Sequence, residues 1–235
     1  MTGEPPKPSC HFSIKLKKSA YSISSRRIKQ KSNTTSDKYS TFTVPLKVPN
    51  CWINDPNGFI WYKGQYHLFY QCFPYAPQWG RMHWGHAVSK DLVNWEEKGI
   101  ALYPTKTDDR SGCFSGSAVE QDGTMYLYYT GVNYLEEDPE NINHCKNDQF
   151  LSAQMMISSA DGMTFDNVHD KKTIIPSIAE DKIGSKTHTR DPKVWRGTDA
   201  WYMVLGSSVA QKGRLLIYQS RDLQNWKYLS HVEKD

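Results

Sequence analysis

The sequence predicts an all-β chain, a partial β-propeller of about three blades preceded by a disordered basic extension. Three observations predict it. A hairpin pattern recurs three times after Cys51, a Ser/Asp-containing tag closes each recurrence, and aromatic residues make up 13% of the 235 residues. Aromatic, turn-rich composition favours pleated structure, because flat rings pack well on a half-buried sheet surface.

The first element is the extension, residues 1–48. Residues 1–50 hold ten Lys/Arg against two acids, Glu4 and Asp37, with scattered apolar positions such as Phe12, Ile14 and Leu16. Such a stretch buries too little apolar surface to offset its ordering entropy, so disorder is expected. The cluster Arg26–Lys31 leaves a basic targeting leader open. No apolar signal core precedes it, and the cytoplasm is the expected location.

The remaining residues carry nineteen Lys/Arg against twenty-three Asp/Glu. That mildly acidic balance argues against a nucleic-acid partner. No apolar run is long enough to span a membrane. Five cysteines, odd in number and without a CxxC pair, suit reduced thiols better than a zinc site or disulfide framework.

Residues 49–235 form the repeated domain. Unit one reads Phe59–Tyr62, a Lys63-Gly64 turn, then Gln65–Tyr70. Unit two reads Ser117–Glu120, an Asp122-Gly123 turn, then Thr124–Tyr129. Unit three reads Lys193–Trp195, an Arg196-Gly197 turn, then Ala200–Leu205. Each is a hairpin signal: two β-rich runs around a glycine turn. The tags are Ser89–Trp95, Ser159–Phe165 and Ser220–Trp226, and their aspartates read as turn formers. The turn glycines lie 59 and 74 residues apart, which leaves room for four strands per unit, as in propeller blades. Glu136–Phe150 and Asp181–Thr189 are polar and read as excursions between strands.

In a propeller the first strand of each blade lines the central channel, so equivalent positions converge. Asp55 lies nine residues before its turn glycine, Ser115 eight and Asp191 six. Asn54-Asp55, Phe114-Ser115 and Arg190-Asp191 are therefore expected at one end of one pocket. Trp52, Phe73, Trp79, Trp84 and Phe114 flank them in sequence, and Gln71 ends an inner hairpin strand. Flat apolar faces beside carboxylates and amides suit a sugar, which presents C–H patches and hydroxyls. Two bland alternatives remain: the aromatics pack between blades, and Asn54–Gly58 and Arg190–Pro192 are simple turns. His83 and His86 read as packed or hydrogen-bonded histidines, not metal ligands.

The strings Trp52–Gly58 (WINDPNG), Phe69-Tyr70-Gln71, Gln78-Trp79-Gly80, Met82–His86 (MHWGH), Cys113–Ser117 (CFSGS) and Arg190-Asp191-Pro192 together resemble glycoside hydrolase family 32. These are the invertases and β-fructofuranosidases, including bacterial-type sucrose-6-phosphate hydrolases. The resemblance implies a five-bladed propeller, usually followed by a β-sandwich, and a retaining mechanism on terminal fructofuranosyl groups. It implies Asp55 as nucleophile and Asp191 as transition-state stabiliser. Asn54, Gln71, Trp79, Phe114, Ser115 and Arg190 match sugar-contacting positions, and Trp52 joins them from the aromatic set. The implied partner is a sugar, sucrose or sucrose 6-phosphate, with no metal or organic cofactor.

The sequence also departs from the family. The acid/base glutamate belongs to a Glu-Cys-Pro context after the third tag. Glu233 stands in a different string, and Glu120 reads as a strand residue beside a turn. The expectation is a C-terminally truncated fructosidase lacking its general acid, nearly inactive on sucrose and poorly soluble. The alternatives are a non-catalytic fructoside-binding propeller and an inactive gene fragment.

Overall fold

The computed structural model describes residues 51–179 and 182–233. The basic extension and its expected disorder lie outside them. Three four-stranded antiparallel sheets follow one another along the chain. The first holds β1 (Trp52–Tyr62), β2 (Gln65–Phe73), β3 (His83–Ser89) and β4 (Trp95–Leu102). The second holds β5 (Gly112–Gln121), β6 (Thr124–Tyr134), β7 (Phe150–Ser159) and β8 (Lys172–Ile175). The third holds β9 (Arg190–Arg196), β10 (Trp201–Val209), β11 (Lys212–Ser220) and β12 (Lys227–Glu233). Each sheet is a simple meander, and its first strand packs against the first strand of the next. These are three successive propeller blades.

The first two turns have the chemistry the sequence announced. Lys63 (φ 46°) with Gly64 (φ 83°) and Asp122 (φ 51°) with Gly123 (φ 75°) are two-residue turns with both positions left-handed, which matches strand twist. The third differs. Gly197–Ala200 is a four-residue loop closed by a Gly197 N–H to Ala200 carbonyl bond of 2.8 Å, and Gly197 has no left-handed φ.

The tags join the third and fourth strands of each blade. In the third, the Asp222 carboxylate accepts backbone N–H groups of Gln224 (2.9 Å) and Asn225 (2.7 Å), while Leu223 turns left-handed at φ 64°. Asp91 and Asp161 accept equivalent bonds. These donors hold all three carboxyls below the usual carboxylate range. The tag aromatics are half-buried; Trp95 packs within the first blade, and the other two pack across blades. Phe165 sets its edge on Phe69 of the first blade (5.9 Å), and Trp226 on Tyr128 of the second (5.8 Å). Tyr62 Oη donates to the Ala160 carbonyl (2.8 Å) and Tyr128 Oη to the Leu223 carbonyl (2.7 Å), so the second and third tags are also hydrogen-bonded to the preceding blade.

Two apolar clusters fill the blade junctions. One centres on Phe69, Trp84, Leu127, Tyr129 and Met155, the other on Tyr128, Val194, Met203, Leu205 and Leu216. Asp109 lies inside the first junction with its side chain fully buried. It accepts Lys171 Nζ (2.6 Å), Tyr129 Oη (2.8 Å) and the backbone N–H groups of Thr105 (2.9 Å) and Lys106 (2.8 Å). Every lone-pair direction is used, which is what makes a buried charge tolerable. The network fixes the segment leading into β5.

Candidate active site

The first strands of the blades are not regular. In β1 the pairing jumps from Ile53↔Cys72 to Pro56↔Tyr70, leaving Asn54 and Asp55 opposite Gln71 alone. In β5 it jumps from Cys113↔Gly131 to Gly116↔Tyr129, leaving Phe114 and Ser115 opposite Thr130. In β9 it jumps from Arg190↔Gly206 to Lys193↔Val204, leaving Asp191 and Pro192 opposite Leu205. Each first strand thus carries a two-residue bulge, with Asp55 and Ser115 as its second residue and Asp191 as its first. A bulge turns a side chain away from the regular alternation and is common beside active sites. A second bulge in β1, between Asn57 and Ile60, contributes to the unequal spacing to the turn glycines. The two simple-turn alternatives are thereby corrected: both motifs lie within strands.

The bulges face one another through cross-blade bonds. Ser115 Oγ donates to Asp55 Oδ2 at 2.7 Å. Asn57 Oδ1 accepts the Gly116 N–H at 3.4 Å, and Trp84 Nε1 donates to the Phe114 carbonyl at 3.0 Å, tying the first blade to β5. Ser117 Oγ donates to the Pro192 carbonyl (2.7 Å) and accepts the Val194 N–H (3.0 Å), tying β5 to β9. Within the second blade Gly116 lets β5 lie close on β6 at the bulge, since a Cβ there would stand 1.9 Å from the Tyr128 carbonyl oxygen.

The other sequence-derived residues gather at the same end. Trp52 Nε1 donates to Asn54 Oδ1 (2.9 Å), and Asn54 Nδ2 donates to Gln71 Oε1 (2.8 Å). Trp79 meets the Phe114 ring edge-on, with centroids 6.2 Å apart. Arg190 Nε lies 3.8 Å from Asp191 Oδ2. Asp191 is held above the ordinary carboxylate range, chiefly by desolvation and secondarily by Asp55, with Arg190 opposing.

These features match known proteins. The description Glycosyl hydrolases family 32 N-terminal domain matches residues 46–235. The chain belongs to glycosyl hydrolase family 32. Sucrose-6-phosphate hydrolase of Zymomonas mobilis is 42% identical over 191 residues, 78% of this chain and 34% of that protein. Raffinose invertase of Escherichia coli is 39% identical over 189 residues, covering 80% and 36%. Among solved structures, a beta-fructofuranosidase of Bombyx mori is 40% identical with a TM-score of 0.67, covering 80% of this chain and 37% of that one. The chain spans about a third of the length of the curated relatives it matches.

Several residues of the candidate site escaped the sequence. Asp191 has a left-handed backbone (φ 64°), costly for a residue with a Cβ. Its N–H donates to Thr130 Oγ1 (3.0 Å), which donates to Gln154 Oε1 (2.8 Å), whose amide donates to the Thr189 carbonyl (2.9 Å). Thr130 and Gln154 are buried and lie on middle strands, where no motif marks them. Their signal was weak: polar residues inside otherwise apolar strands. A cavity of about 240 Å³ adjoins the bulges, and besides Trp79, Phe114 and Arg190 it is lined by His144, Asp148 and His188. Those three come from excursions that carried no motif.

His83 Nδ1 donates to the Arg81 carbonyl (2.8 Å), and His86 hydrogen-bonds His67 (3.0 Å), so both are structural, as expected. Among the described residues, no group of three or more His, Cys, Asp or Glu is placed to hold a metal. No described helix is long and apolar enough to cross a membrane.

Proposed function

We propose that residues 49–235 form the N-terminal part of a five-bladed β-fructofuranosidase propeller, with residues 1–48 as a separate extension. The reaction is retaining cleavage of the terminal β-D-fructofuranosyl residue of sucrose or sucrose 6-phosphate. The observation that supports this is the bulge in each first strand, with Ser115 hydrogen-bonded to Asp55 in the first two blades and Asp191 in the bulge of the third.

Asp55 attacks the anomeric carbon through the carboxylate oxygen that Ser115 leaves available. The carbon–oxygen bond to the leaving group breaks, and a fructosyl ester forms on Asp55. Ser115 fixes the carboxylate's rotation. Asp191 hydrogen-bonds fructose hydroxyls and stabilises the positive charge that develops on the ring. Trp52, Asn54, Gln71, Trp79, Phe114 and Arg190 position the sugar, and no cofactor takes part. The leaving oxygen needs a proton. Glu120 accepts the Gly123 N–H (2.7 Å) at the far end of its hairpin, and Glu233 accepts Arg214 Nη2 (3.1 Å) on an outer strand. Neither stands at the bulges, which supports a general acid other than these two.

That arrangement also favours a second reading, a fructoside-binding propeller without catalysis. One experiment separates them. An activated fructosyl donor, such as fructosyl fluoride, departs without acid assistance and should add one fructosyl unit to the Asp55 peptide by mass spectrometry. Asp55→Asn should remove the label. Absence of label in the wild type, with fructoside binding that survives Asp55→Ala, would establish the binding reading instead.

A further inference from the structure

The loop between β6 and β7 is built to hold a wall of the cavity. Its limbs form a short ladder: Leu135 N–H to the Gln149 carbonyl (3.0 Å), Lys146 N–H to the Glu136 carbonyl (2.9 Å), and a Glu137↔Cys145 bridge. Arg81, two residues after Trp79, reaches across from the first blade to the Glu137 carboxylate and the Ile142 carbonyl. At the loop's end Asn147 and Asp148 are both left-handed, at φ 54° and 53°. Consecutive left-handed residues with side chains are unfavourable outside tight hairpins, and such strain gathers at ligand sites. Here they bring Asp148 to the cavity wall with His144 and His188. Among the described residues no hydrogen-bond donor or cation occupies the Asp148 carboxylate.

The electrostatics select the ligand. Asp148 is the carboxylate in the cavity lining. Arg190 is the one Lys or Arg in the lining, and its guanidinium lies 3.8 Å from Asp191. A phosphate dianion placed there meets the Asp148 carboxylate, while the one cation of the lining is already engaged by Asp191. A neutral hexose instead offers hydroxyls to a carboxylate and two imidazoles, and a C–H face to Trp79.

We propose that Asp148, with His144 and His188, binds the hydroxyls of a neutral hexose leaving group and disfavours a phosphorylated one. The inference rests on the fructosidase reading and narrows its substrate to the unphosphorylated fructoside.

Calorimetry on the full chain with fructose, sucrose and sucrose 6-phosphate tests it. Sucrose should bind about tenfold more tightly than sucrose 6-phosphate, the equivalent of one like-charge contact. Asp148→Asn should narrow that gap, and fructose affinity should not change. Sucrose 6-phosphate binding as tightly as sucrose or better, or a gap unmoved by Asp148→Asn, overturns the proposal. The wild-type comparison decides this even if the variant folds poorly. Fructose binding with the opposite preference overturns this inference alone, whereas no fructose binding removes the fructosidase reading with it.

Discussion

Lowering the pH from about 7.5 to about 5 should destabilise the fold through one pair of side chains. His67 and His86 are 0% and 2% exposed, share a 3.0 Å hydrogen bond, and stack beside Phe69. Burial lowers the pKa of both, and His86 falls to about 3 with further contributions from His67 and Lys98. Unfolded histidine titrates near 6.5. The sign follows from proton counting: below about 6.5 the unfolded chain binds protons that the folded chain refuses, so stability present above that value is lost as pH falls toward the folded value. One pKa unit is worth 1.36 kcal/mol, so His86 alone removes about 2 kcal/mol between pH 7.5 and 5. With a urea slope of about 2 kcal/mol per molar, the midpoint should drop by about 1 M. Tryptophan fluorescence during urea titration reads it. The tag aspartates do not contribute in this window, because their stabilisation is lost only as pH falls below the ordinary carboxylate range. Asp191 acts in the opposite sense, since its raised pKa makes protonation favourable in the folded state. A midpoint that stays constant from pH 7.5 to 5, or a drop of equal size in His86→Gln, would refute the argument.

Three further outcomes follow from single contacts. Lys171→Met leaves Asp109 charged and buried without its cation; it should cost about 3–5 kcal/mol and lower Tm by roughly 10 °C, while replacing both partners with apolar residues should recover part of the loss. Gly116→Ala forces a Cβ against the Tyr128 carbonyl, so β5 must shift; about 3 kcal/mol of stability and most fructoside affinity should be lost, read by thermal melting and calorimetry. Asp222→Ala removes a side-chain cap from two backbone N–H groups; it should cost about 1–2 kcal/mol and raise hydrogen exchange locally in the third tag and β12, with fructoside binding unchanged.

The repeat was legible because every blade solves the same local problem. A glycine turn needs left-handed backbone, and a Ser/Asp tag needs a carboxylate to cap backbone donors, so Gly64, Gly123, Asp91, Asp161 and Asp222 signal through near-neighbour chemistry. The third hairpin was less legible, because Gly197 opens a four-residue loop whose closure is a backbone bond. Asp55, Ser115 and Asp191 could be aligned as equivalents from the repeat, although nothing local reveals a bulge. A bulge is a mismatch between two strands, and one strand does not record its partner's register.

What the sequence determined by itself was the all-β architecture, the blade unit and the principal members of the site, because those rest on turn chemistry, alternation and motif. What only the tertiary structure decided was how those members are aimed. Ser115 reaches Asp55 from the neighbouring blade, and Asp191 holds its left-handed backbone because Thr130 and Gln154 support it from neighbouring strands. Asp148 and His144 join the site through a loop clamped by Arg81, a contact 56 residues apart in sequence, and His188 through a separate loop between β8 and β9. Such placements depend on contacts between blades, where the chain's order carries little information and packing carries most of it.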